Sequence, residues 1–222
     1  LYKADCVCGA TKKLWKNIKF SFGYLAKCFQ ISQEQVYNNQ EILEQLYISC
    51  FGISNYPVNL WAKLYKTELF TKAIDFEPIV RFMGEDLSVT MRCLPETERL
   101  VIIPDNIYNY RIGGITSKFM PYMLEDFMSL YKEKRILMQK YSMPQDTQFY
   151  IDVELMNVVI NWLKMCYKQG KYKKEKFQEE CKRVCKLATV RSAAANLYEK
   201  NNINDDENRY IYRYKKDDLK NE

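Results

Sequence analysis

Gly84-Glu85-Asp86-Leu87-Ser88-Val89-Thr90-Met91-Arg92-Cys93-Leu94 is the stretch on which the reading of this chain turns. It sets two adjacent carboxylates at the start of an amphipathic helix. Leu87, Met91 and Leu94 recur at i, i+4 and i+7, the spacing of a buried helical stripe. Gly84 suits the N-cap, so Glu85 and Asp86 fall in the first turn, where the helix dipole favours negative charge. A carboxylate there is expected to stay ionised near neutral pH, as a general base requires. Acidic residues in a first turn are also ordinary helix-start chemistry, and alone they identify no site.

The neighbours of this turn narrow the reading. Upstream stand Asn59-Leu60-Trp61-Ala62-Lys63-Leu64-Tyr65-Lys66-Thr67-Glu68-Leu69-Phe70 and then Phe76-Glu77-Pro78. Downstream come Ile103-Pro104-Asp105, Tyr108-Asn109-Tyr110-Arg111 and Gly113-Gly114-Ile115-Thr116-Ser117. In this order and spacing the segments resemble the second half of family 2 glycosyltransferases, especially bacterial enzymes that build capsule, exopolysaccharide and O-antigen. The resemblance covers about residues 57–118 and extends more loosely over 1–56.

That resemblance implies an α/β, helix-rich chain: the acceptor-side half of a GT-A-type catalytic domain over 1–118, then a helical extension over 119–222. It implies Asp86 as the base that deprotonates an acceptor hydroxyl for inverting attack on a nucleotide sugar, with Glu85 orienting it or binding the acceptor. Arg111 matches a group that meets the departing diphosphate, and the planar guanidinium suits two phosphate oxygens at once. Thr116 and Ser117 would add hydroxyl donors. Trp61 and Lys63 would line the acceptor groove, although both also suit core packing. The implied partners are a nucleotide-sugar donor and a saccharide or lipid-linked acceptor, in the cytoplasm and at the inner face of the membrane.

One part of the family pattern is absent. Family 2 enzymes carry an Asp-x-Asp pair that holds a divalent cation and the donor diphosphate, and no such pair stands early in this chain. Asp205-Asp206 and Asp217-Asp218 lie in polar C-terminal segments. The chain opens at Leu1, and Ala4-Asp5-Cys6-Val7-Cys8 is similar to the strand that follows the metal-binding segment in relatives. The expectation is therefore a fragment that lacks most of the donor site and is inactive alone. Mg2+ or Mn2+ is expected in the full-length enzyme, with no ligands here.

Composition sets further bounds. A chain of 222 residues buries a sizeable core. Only 7 glycines and long periodic stretches favour a helix-rich chain over an all-β one. Val153 to Met165, the longest apolar stretch, is broken by Glu154, Asn157, Asn161 and Lys164 and is too polar to span a bilayer. The 8 cysteines do not read as a zinc site: Cys6-x-Cys8 is too tight, and Cys181-x3-Cys185 lacks a second pair. Histidine is absent, which excludes Ser-His-Asp and Cys-His mechanisms.

The net charge of +6 gathers in Lys12 to Lys19, Lys164 to Lys186 and Arg209 to Lys216. These clusters suit either a solvated face of mixed charge or an anionic membrane surface. Nucleic acid ranks last, since acidic residues interrupt them and no binding module is present.

The expected elements are a strand over 4–9, a helix over 31–50 capped by Ser32 with Gln35, and a helix over 61–72. Strands follow over 76–80, 100–103 (ended by Pro104) and 107–111. Helices are expected over 123–141, 148–169 and 173–187, with a frayed tail from Asn201. Trp162, Leu163, Cys166 and Tyr167 are expected in the core. A competing reading, from another class, is a helical interaction or scaffold module without chemistry.

Overall fold

The computed structural model describes residues 3–14, 27–29, 31–54, 56–73, 80–81, 83–111 and 119–203. The chain is mixed α/β and forms two compact units, Leu1–Leu130 and Tyr131–Glu222. The boundary expected after residue 118 lies among residues that are not described. The two units divide within helix α4, Met123–Lys140.

The first unit is built on strand β1, Cys6–Leu14. It pairs in parallel with β5, Arg99–Arg111, along one edge. On the other edge it pairs antiparallel with β2, Lys27–Phe29, and β4, Lys63–Tyr65. β3, Gln35–Asn38, closes the far side of β5 antiparallel. Cys6, Cys8, Leu100 and Ile102 are buried in this sheet.

The sheet departs from the expected strands at three places. The segments 100–103 and 107–111 are one strand, because the pairing survives Pro104. Gly9 pairs with Ile103, Ala10 with Asn106 and Thr11 with Tyr108, so Pro104, Asp105 and Ile107 bulge out of register. Proline has no N–H to give the ladder, and a bulge is where a strand tolerates it. A Cβ at Gly9 would run into the Ile107 side chain, so the bulge needs glycine opposite it.

The helix expected over 31–50 begins later. Gln35–Asn38 is recruited as β3, and the helical segment starts at Asn39–Glu41 (α1). The capping box belongs to Asn38 and Glu41: Glu41 N–H donates to Asn38 Oδ1 at 3.0 Å, and Asn38 N–H to Glu41 Oε2 at 2.8 Å. The segment continues as a π-helix, Ile42–Leu46, and a 3-10 turn, Tyr47–Phe51, and Gly52 at φ 82° ends it.

The helix expected over 61–72 is two elements. Lys63–Tyr65 is β4, because the Cys6–Cys8 edge of β1 takes it as a partner, and only Thr67–Ala73 is helical (α2). The strand expected over 76–80 lies outside the described residues except for Val80.

Helix α3, Glu85–Cys93, forms where its periodicity placed it. Leu87, Met91 and Leu94 are all buried. Tyr47 Oη donates to Met91 O at 3.2 Å, and Tyr47 meets Phe51 edge-on at 5.3 Å. Truncating a fully buried side chain such as Met91 to alanine costs about 2–5 kcal/mol.

The second unit is helical: α5, Thr147–Lys168; α6, Lys174–Lys186; and α7, Ala188–Ile203. α5 and α6 match their expected spans, whereas α7 was not foreseen. Ile151, Leu155, Trp162, Cys166, Val184 and Ala193 form the core. Tyr167 departs from expectation: it is 64% exposed, its ring tilted against Phe177 at 5.6 Å. The buried Asp152 carboxylate accepts from Tyr131 Oη (2.5 Å), Gln148 (2.8 Å) and Asn196 (3.0 Å). No helix among the described residues is long and apolar enough to cross a membrane.

Candidate functional site

Two connections frame the carboxylate turn. Asp126, buried in the first turn of α4, accepts the backbone N–H of Arg81 at 2.9 Å and of Met83 at 3.1 Å. Its two oxygens therefore fix the approach to α3. Gly84 then turns the chain in the left-handed region at φ 95°, where a Cβ would run into Leu130 Cδ1.

The second connection is the loop from Tyr56 to Lys63, which folds over the start of α3. Thr90 Oγ1 donates to Val58 O at 2.8 Å, and Asn59 Nδ2 donates to Trp61 O at 2.6 Å. Lys63 Nζ donates to Pro57 O at 2.7 Å and also to Asn59 O, and it lies 5.2 Å from the Tyr56 ring centre. Asp86 faces the same loop, where the backbone of Leu60 favours its charged form. Ala62 sits at φ 60°, a strained conformation for a residue with a Cβ. It is held there by the N–H of Gly9 on its carbonyl at 3.0 Å.

This loop delivers Trp61 to the sheet. Its indole stacks on Tyr108 (4.9 Å, 26° between planes) and Tyr110 (5.1 Å, 28°). The tyrosines alternate along β5 and so share one face. The result is a plate of three rings, partly open to solvent, next in sequence to Leu60, whose backbone favours the charge on Asp86.

The electrostatics differ from expectation. Burial, and then the adjacent Glu85, raise the Asp86 carboxyl above its ordinary value, against the Leu60 N–H and Lys63 that favour its charge. The first-turn dipole does not dominate. Glu85 itself is exposed. Burial likewise holds the Lys63 ammonium below its ordinary value, although Asp86 is among the groups opposing this. A carboxyl raised toward neutrality is a better proton acceptor than a free aspartate.

Of the residues singled out in sequence, the structure brings Asp86, Glu85, Trp61 and Lys63 into one neighbourhood. Lys63 is engaged in bracing the loop. Arg111 ends β5, but its side chain, and the whole of Thr116 and Ser117, lie outside the described residues. Asp126 and the backbone of Leu60 were not found in sequence, because nothing local marks them. Tyr108 and Tyr110 were visible as an alternating pair, but their partner was not.

Among the described residues, no group of three His, Cys, Asp or Glu side chains is placed to hold a divalent cation. The Cys6 thiol, a ligand only when deprotonated, is driven well up by burial first and by Cys8 second. No family model matches this sequence, and no curated protein matches it.

Proposed function

We propose that this chain forms the acceptor side of a GT-A-type, nucleotide-sugar-dependent glycosyltransferase of the family 2 kind, acting in bacterial surface polysaccharide synthesis on the cytoplasmic side of the membrane. Asp86 takes the proton from an acceptor hydroxyl, which attacks the anomeric carbon of the donor with inversion, breaking its bond to the diphosphate oxygen and releasing the nucleoside diphosphate. The acceptor ring rests on the Trp61–Tyr108–Tyr110 plate. Aromatic faces offer a sugar its best apolar contact, and stacking also excludes water beside the base. The donor, its diphosphate and any cation would be held by groups other than Asp86 and the plate.

The observation that carries this reading is the shared loop. Leu60, whose backbone favours the charged form of Asp86, is followed directly by Trp61, which caps the plate, and this adjacency supports reading the two as base and sugar platform. A residue that acts only through others, such as Asp126, is a positioning residue.

A second reading has its own support. The same closeness to the Leu60 backbone would let Asp86 serve as a tie between loop and helix in a non-catalytic module. In the enzyme, Asp86→Asn should lower kcat about 10^2–10^4-fold, as loss of a general base does, with nucleotide-sugar affinity retained. Full turnover in that variant would end the base assignment.

A further inference from the structure

We infer that the α5–α6 corner of the second unit is a docking surface for an anionic lipid bilayer. Along α5, Met156, Ile160, Leu163 and Tyr167 recur at helical spacing on a face separate from the buried Leu155–Trp162–Cys166 side. Ile160 is 46% and Tyr167 64% exposed, and Met156 and Leu163 are half-buried. At the end of this stripe Tyr167 lies against Phe177 of α6, and Tyr172 sits between them in sequence, so aromatic rings collect at the corner.

Charge supplies the partner. Between Lys164 and Phe177 the chain carries Lys164, Lys168, Lys171, Lys173, Lys174 and Lys176 against a single Glu175, and all six ammonium-bearing residues are exposed. Lysines around an apolar, tyrosine-bearing stripe match a bilayer interface: the stripe enters the headgroup region while the ammonium groups meet anionic lipids. Tyrosine is at home at that depth, with an apolar ring and a wet hydroxyl. Single-stranded nucleic acid would use the lysines and rings but leaves Met156, Ile160 and Leu163 without a role. A second copy of the chain would bring two strongly basic corners together. The inference does not depend on glycosyl transfer.

The test is cosedimentation of the chain with vesicles of phosphatidylcholine alone or mixed with phosphatidylglycerol. Phosphatidylglycerol should tighten binding by about tenfold or more, and raising salt from about 0.1 M to about 0.5 M should remove that gain. Ile160→Glu with Tyr167→Glu should weaken binding at least about tenfold at an unchanged melting temperature, because both side chains are exposed. Tyr198→Glu, on an exposed α7 position off the stripe, should not. Replacing Lys171, Lys173 and Lys174 by Gln should abolish the preference for anionic vesicles and leaves the apolar stripe intact. Binding indifferent to phosphatidylglycerol or to the stripe variants would overturn the inference. So would a single-stranded oligonucleotide competing the chain off vesicles, or a dimer in solution that Ile160→Glu dissolves.

Discussion

Asp86 is held beside the backbone of Leu60, which favours its charged form one residue before the ring that caps the aromatic plate. Its counterpart in chemistry is Asp5, which accepts the N–H of Glu98 at 3.0 Å and of Arg99 at 2.9 Å and pairs with Lys66 at 2.5 Å. The two carboxyls are displaced in opposite directions. For Asp86, burial and Glu85 win, and the carboxyl is raised. For Asp5, burial pushes up, but Lys66 and the two backbone N–H groups together bring it below its ordinary value. Asp5 is a structural tie, whereas Asp86 carries a charge that the fold does not favour.

The first prediction follows from that contrast. With a raised carboxyl, the folded state binds the Asp86 proton more tightly than the unfolded state. Stability therefore falls as pH rises from the ordinary aspartate value through the raised one, then levels off. Asp5 works the other way: its contribution is present above the ordinary value and is lost as pH falls through the lowered one. Urea unfolding between about pH 3 and 7 should show Asp86→Asn neutral or stabilising at the upper end. Asp5→Asn should cost roughly 1–2 kcal/mol there. A loss for Asp86→Asn as large as that for Asp5→Asn would favour the structural tie.

In the intact enzyme, the raised carboxyl also sets the acid limb of activity. A base must be deprotonated to act, so kcat/KM should decline as pH falls through a value above the ordinary aspartate range. Glu85→Gln removes a neighbouring negative charge, so it should move that limb to lower pH while leaving the plateau largely unchanged. A pH–rate profile checks the direction.

Gly84→Ala should destabilise the first unit by roughly 1–3 kcal/mol. The left-handed backbone costs a β-carbon about 1–2 kcal/mol, and the new methyl must also displace Leu130. Leu130→Ala in the same chain should recover the steric part and leave the backbone part. A double-mutant cycle by chemical denaturation separates the two.

The plate makes a prediction for the sheet as well as for the ligand. Trp61→Ala loses two stacked contacts, each worth about 0.5–1.5 kcal/mol, so stability should fall by about 1–3 kcal/mol. Tyr108→Ala loses one, and its effect should be smaller. Both should abolish saturation-transfer NMR signals from oligosaccharides added to the chain. Tyr198→Ala, an exposed ring elsewhere, should not.

In the second unit Lys134 is 2% exposed and pairs with Glu154. Glu154→Gln leaves a buried ammonium without its counter-charge and should cost about 3 kcal/mol. Lys134→Met, which removes charge and fills the same space, should be close to neutral. Thermal or denaturant unfolding of the two variants distinguishes them.

What the sequence determined by itself was whatever depends on neighbours within a few turns. Helix α3 and its buried Leu87–Met91–Leu94 stripe, and helices α4 to α6, follow from a 3.6-residue period that each segment carries in its own side chains. Tertiary structure decided the rest, because strand pairing and stacking are contracts with distant residues. Lys63–Tyr65 became β4 because Cys6–Cys8 offered an open edge, and Gln35–Asn38 became β3 because β5 did. The same strand pairing overrode Pro104 within β5. At the candidate site the carboxylate turn was legible. Trp61 on Tyr108 and Tyr110, and Asp126 under Arg81 and Met83, exist only once chain segments tens of residues apart are folded together.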